Sequence, residues 1–60
     1  MFVELDTRHN EGLTVALEWD RDTDQTQIVV SDARTALETA FAVPRRHAAD
    51  AFRHPFRYVP

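Results

Sequence analysis

His47, Asp50 and His54 come closest to a metal site by residue type, since imidazole and carboxylate both ligate Zn²⁺. Spaced i, i+3 and i+7, they share one flank of a helix, but that run rises about 10 Å, too far to meet one ion. Two of them chelate at most, so a polar helix flank is the simpler interpretation. Asp20, Asp22 and Asp24 have the one, three, five spacing of a calcium loop. The pattern fails at its sixth place, where Gln25 stands for glycine, and at its twelfth, where Ser31 stands for the closing Glu. These three acids therefore mark a turn. His9 falls in a polar stretch, which favours a solvated loop histidine.

Nucleophilic chemistry has no better footing. The chain has no Cys, one Gly and a lone serine, Ser31, at a strand end. A drug-sized pocket would consume most of a core built from 60 residues. Neither an enzyme nor a resident metal or cofactor is expected.

The basic residues suggest a different chemistry. All seven are Arg, against ten acids, for a formal net charge of -3. The sum hides a gradient: residues 1–40 hold nine acids and three Arg, net -6, and residues 41–60 hold four Arg and Asp50, net +3. Arg45, Arg46, Arg53 and Arg57, interleaved with Phe56 and Tyr58, can touch phosphates and stack bases. Four Arg fall short of the roughly six to ten phosphate contacts of tight duplex binders. The acidic part of the chain also repels a polyanion. A solvated helix face, with its Arg paired to sheet acids, is the competing expectation.

These residues need elements to position them. Leu13, Val15, Leu17 and Trp19 alternate with Thr14, Ala16, Glu18 and Asp20, the period of a half-buried strand over 13–20. Arg21 to Asp24 make a turn, and β-branched Ile28, Val29 and Val30 mark a second strand over 25–31. Asp32 to Thr35 form another turn, without the Gly that tight hairpin turns favour. Leu37, Thr39, Phe41 and Val43 then alternate against Glu38, Ala40 and Ala42, for a strand over 36–43. Helix formers at 33–42 compete, but the alternation running on to Val43 favours the strand. Pro44 suits the first turn of a helix over 44–54, which Pro55 stops. Ala48, Ala51 and Phe52 share its apolar stripe with Pro44, and Phe52 is the expected anchor beside Trp19 or Phe41.

Met1, Val3 and Leu5 alternate with Phe2, Glu4 and Asp6, which leaves an extra strand over 1–6 open, with Thr7 to Gly12 as its loop. Residues 55–60 read as a non-helical aromatic tail. The acids within residues 1–6, without a basic run, do not resemble a signal peptide. No apolar run approaches the roughly 20 residues of a membrane span. Lack of Cys fits a reducing compartment, so the cytoplasm is the expected location.

Trp19-Asp20 through Thr23-Asp24, Asp32-Ala33-Arg34-Thr35 and His54-Pro55-Phe56-Arg57-Tyr58 together resemble very small uncharacterised proteins of actinobacterial type. The likeness covers roughly residues 13 to 58 and implies a strand meander followed by a short helix and an aromatic tail. Ala36, where that pattern has Gly, departs from it. No activity comes with the resemblance.

The expected architecture is a single α+β domain, an antiparallel meander of three or four strands with one C-terminal helix on one face. Ala16, Val29, Ala40 and Ala42 then line the opposite face, where a solvent-facing sheet usually carries longer polar side chains. Two coverings fit: the tail through Phe56, Tyr58 and Val59, or a second subunit. The expected function is a non-catalytic interaction module that binds itself or another protein, since a domain this small is marginal alone. Weak nucleic-acid binding through the four Arg is the alternative.

Overall fold

A computed structural model describes residues 1–60 and shows four antiparallel strands in the order β1-β2-β3-β4, a meander. The strands are β1 (Phe2–Asn10), β2 (Leu13–Asp20), β3 (Gln25–Asp32) and β4 (Leu37–Val43). A single short helix, α1 (Ala48–Arg53), follows, flanked by 3₁₀ turns at Arg45–His47 and Pro55–Arg57. The α+β architecture with one C-terminal helix is as the alternation of β2 and β4 required.

The register explains the core. Leu17 pairs with Ile28, Val15 with Val30, and Ile28 with Phe41, so the apolar residues of three strands meet on one face. Val15, Ile28, Val30, Phe41, Val43 and Ala51 form the buried cluster. Ile28 and Ala51 are fully buried, and Phe52 and Tyr58 pack against the cluster from the helix side. Ala51 has no side chain beyond Cβ, which lets α1 lie close on the sheet. Thr26 is the buried polar exception, and its hydroxyl donates to the Val43 carbonyl at 2.6 Å.

Three turns join the strands, and each has a residue with positive φ at the place where the chain reverses. Glu11 (φ 50°) and Gly12 (φ 84°) connect β1 to β2 in two residues, the pair of left-handed positions that a type I′ turn demands. The other two turns share one construction. Asp20 accepts from the Asp22 amide, and Asp32 accepts from the Arg34 amide, both at 2.9 Å. Asp24 (φ 58°) and Ala36 (φ 60°) then close their four-residue loops in the left-handed region. Ala36 stands where glycine is favoured.

Three expectations change. β1 is not confined to residues 1–6, nor are residues 7–12 a loop: the strand runs to Asn10. A bulge at Leu5, where pairing steps from Glu4–Glu18 to Asp6–Leu17, shifts the strand's phase by one residue. Val3 faces the core side before it, and Asp6, Arg8 and Asn10 face that side after it, so the alternation disappears from the sequence. The strand expected at 36–43 starts at Leu37, because Ala36 belongs to the turn, and the one at 25–31 extends through Asp32.

The helix is also shorter than 44–54. His47 (φ -107°, ψ 0°) interrupts it, so Arg45–His47 wind as a 3₁₀ turn and only Ala48–Arg53 are α-helical. Pro44 is extended (ψ 145°) and exposed, outside the apolar stripe. Part of the tail is helical after all, since Pro55 supplies the fixed φ of a first helical position and Pro55–Arg57 form the second 3₁₀ turn. No helix is long and apolar enough to cross a membrane.

Candidate functional site

The face of the sheet turned away from the helix is one candidate surface. Cross-strand partners share a face, so the register places Thr7, Ala16, Val29 and Ala40 in one lane across all four strands. The next lane holds Glu4, Glu18, Gln27 and Ala42, and a third holds His9, Thr14, Ser31 and Glu38. Ala16, Val29, Ala40 and Ala42 therefore do lie together, with Ala40 and Ala42 exposed at the β4 edge.

The tail does not cover this face. Tyr58 packs against the core cluster on the helix side, where its ring lies 5.9 Å from that of His47. Its hydroxyl donates to Asp50 Oδ2 at 2.7 Å, and Phe56 is 69% exposed. The tail stays beside α1 because these partners hold it there.

The uncovered face is acidic. Glu4, Glu18, Asp20 and Glu38 stand on it, with His9 as its one imidazole and no Arg. Glu4 is directly opposite Glu18, which Gln27 relieves by donating its amide to Glu18 Oε1 at 2.7 Å. Ser31 donates to Glu38 Oε2 at 3.2 Å, and His9 Nδ1 lies 2.9 Å from Thr14 Oγ1.

On the helix side, an open groove of about 390 Å³ has Leu5, Leu17 and Trp19 as its apolar wall. Trp19 Nε1 donates to Asp24 Oδ1 at 2.9 Å, and Arg45 Nη1 donates to Asp24 Oδ2 at 2.8 Å. Two donors on one carboxylate hold Asp24 below the usual carboxylate range, the indole contributing most. This constellation was not legible in sequence. Its members come from a strand, a turn and the 3₁₀ segment, and only the fold brings them together.

The expected metal flank serves another purpose. Asp50 accepts from the Tyr58 hydroxyl and lies 3.6 Å from Arg57, contacts that hold its carboxyl below the usual range, with the hydroxyl dominant. No three His, Cys, Asp or Glu side chains gather closely enough to hold an ion. Of the four C-terminal Arg, Arg45 pairs with Asp24 and Arg57 with Asp50, so two are committed to acids of the chain itself. Arg46 and Arg53 are exposed and make no ion pair with an acid.

Comparison with protein-family models, with curated proteins and with solved structures finds nothing that matches this chain.

Proposed function

We propose that the chain is a small, non-catalytic interaction module that associates through its sheet, with a second copy of itself or with another protein. The observation that supports this is the one-sided sheet: helix and tail cover one face, and neither lies over the lane Thr7–Ala16–Val29–Ala40 on the other, where neighbouring side chains bury Ala16 and Ala40 is exposed. Short side chains at those positions let a second layer or strand approach closely, whereas a solvated face favours long polar ones. Sixty residues without a disulfide also gain more from a partner than a larger domain does.

Charge directs where a second copy sits. Stacked face to face, two copies would oppose Glu4, Glu18, Asp20 and Glu38 to one another, which disfavours that arrangement. The β4 side of the sheet, where Ala40 and Ala42 lie, carries only Glu38. The cysteine-free composition supports a reducing compartment, and the cytoplasm is where we place the protein.

Sedimentation across the micromolar to millimolar range tests the proposal. A concentration-dependent rise above the 6.9 kDa monomer supports self-association. A monomer at every concentration that also retains no protein partner on an affinity column removes it. Nucleic-acid binding, the second reading, is left with Arg46 and Arg53 as its unpaired cations. It requires salt-sensitive binding that Arg46→Ala with Arg53→Ala abolishes.

A further inference from the structure

We infer that β4 is the contact strand for a second copy of the chain, added antiparallel to β4 of the first and centred on Ala40. This deepens the interaction proposal by naming edge, occupant and register.

The two edges of the sheet differ in how they are defended. An open strand presents unpaired N–H and C=O groups, and proteins that must stay monomeric blunt it with bulges, inward-facing charges, Pro or Lys. β1 has the bulge at Leu5, and beyond it Asp6 and Arg8 on its core-facing side. β4 has none of these. It pairs with β3 alone, is continuous over all seven residues, and has Glu38 as its single charge. Leu37, Glu38, Thr39, Ala40 and Ala42 are exposed, Leu37 at 69%.

The strand is also complementary to itself. Centred on Ala40, an antiparallel pair sets Leu37 against Val43 of the second copy, Glu38 against its Ala42, and Thr39 against its Phe41. No like charges oppose each other. Leu37 and Val43 both belong to the core side of the sheet, as their pairing with Asp32 and Thr26 shows, so the two apolar layers join without a change of face. Leu37, with Phe56 the most exposed large apolar residue after the first, gains an apolar neighbour. The four acids of the open face stay side by side in one sheet plane instead of being pressed against a facing layer.

Three measurements test this, each on the whole chain with its fold verified by circular dichroism. Sedimentation of the unaltered protein gives the dimer. Ala40→Lys sets Lys against Lys at the centre of the pair and weakens the dimer about fivefold or more, while an equimolar mix of Ala40→Lys with Ala40→Glu restores it. Hydrogen exchange shows alternate amides between Glu38 and Ala42 slowing with protein concentration, and β1 amides unchanged. A dimer that Val29→Asp splits and Ala40→Lys with its Glu mix does not track, with β4 amides indifferent to concentration, overturns the edge and leaves association through the face. Slowing confined to β1 assigns the wrong edge. A monomer throughout, with β4 amides protected only when an unrelated partner is present, removes the second copy as the occupant.

Discussion

Arg8 lies over the ring of Phe52, its guanidinium carbon 5.6 Å from the ring centroid, and its Nε donates to the Phe52 carbonyl at 3.0 Å. Its Nη2 donates to the Arg53 carbonyl at 2.8 Å. A cation from the edge strand thus satisfies two of the open carbonyls at the C-terminal end of α1, where the helix dipole is negative. For a helix of six residues, too short to form alone, this attachment complements the burial of Ala51.

Arg8→Ala is expected to cost about 2 kcal/mol, from two charge-assisted hydrogen bonds and the ring contact. Arg8→Lys keeps the charge but not the fork, so it recovers only part. Urea unfolding compares the three, and an unchanged midpoint for Arg8→Ala would sink the assignment.

Ala36 in the left-handed region carries strain that glycine would not. Ala36→Gly is expected to stabilise by about 0.5–1 kcal/mol, the strain relieved less the extra freedom of glycine in the unfolded chain. Gly12→Ala moves the other way by about 1 kcal/mol. Its added Cβ meets only Arg34 Cγ at 3.8 Å, an ordinary contact, so that cost is conformational. Thermal melts of both variants should shift in opposite directions.

Ile28 and Val29 are neighbours in sequence with opposite surroundings. Ile28 is fully buried, and Ile28→Ala is expected to remove about 3 kcal/mol. Val29, half-buried on the uncovered face, should lose less than about 1 kcal/mol as Ala. Similar losses at both positions would mean that the outer face is covered.

Glu4 and Glu18 face each other across β1 and β2. Glu4→Lys replaces a repulsion by an attraction and is expected to raise stability by a few tenths to about 1 kcal/mol, less in high salt. Melting at two ionic strengths separates this from a change in strand propensity.

The bond between Tyr58 and Asp50 makes stability depend on pH in both directions. Asp50 and Asp24 have carboxyls lowered below the ordinary value, so their contribution is complete above that value and is lost as acid titrates them in the fold. Tyr58 is raised by the Asp50 carboxylate beside its hydroxyl, so its contribution is complete below the ordinary phenol value and lost as base titrates it. Tyr58→Phe should remove the alkaline loss and shrink the acidic one. Equal pH profiles for Tyr58→Phe and the unaltered chain would show that the bond does not form in solution.

The fold was legible wherever one residue type kept one face. Leu13 to Trp19 alternate without interruption, and β2 has the bounds that the alternation implies. β1 was half hidden, because the bulge at Leu5 reverses the phase and puts Asp6 and Arg8 where apolar residues would mark a strand. The helix was overestimated because propensity reports Arg, His and Ala as helix-compatible, while the break at His47 is a matter of backbone angles that packing selects. Ala36 stood out only as a departure from the resembling pattern, and the alternation that follows drew it into the expected strand, whereas its φ of 60° puts it in the turn. The open face was readable from Ala16, Val29, Ala40 and Ala42, but its lack of a cover was not. That depends on Tyr58 choosing Asp50 and His47, a choice made between elements.

The link from Arg8 to α1 spans 44 and 45 positions of the chain. Each hairpin of the meander closes locally, and such closures take microseconds. The layer that seals the sheet comes last in sequence, and its tether comes from the first strand. A chain shortened before Phe52 would keep its turns and lose the tie between first strand and helix. A contact of that span closes a far longer loop than any hairpin, so the tie between β1 and α1 carries the largest loop-closure entropy in the fold and couples its first strand to its helix.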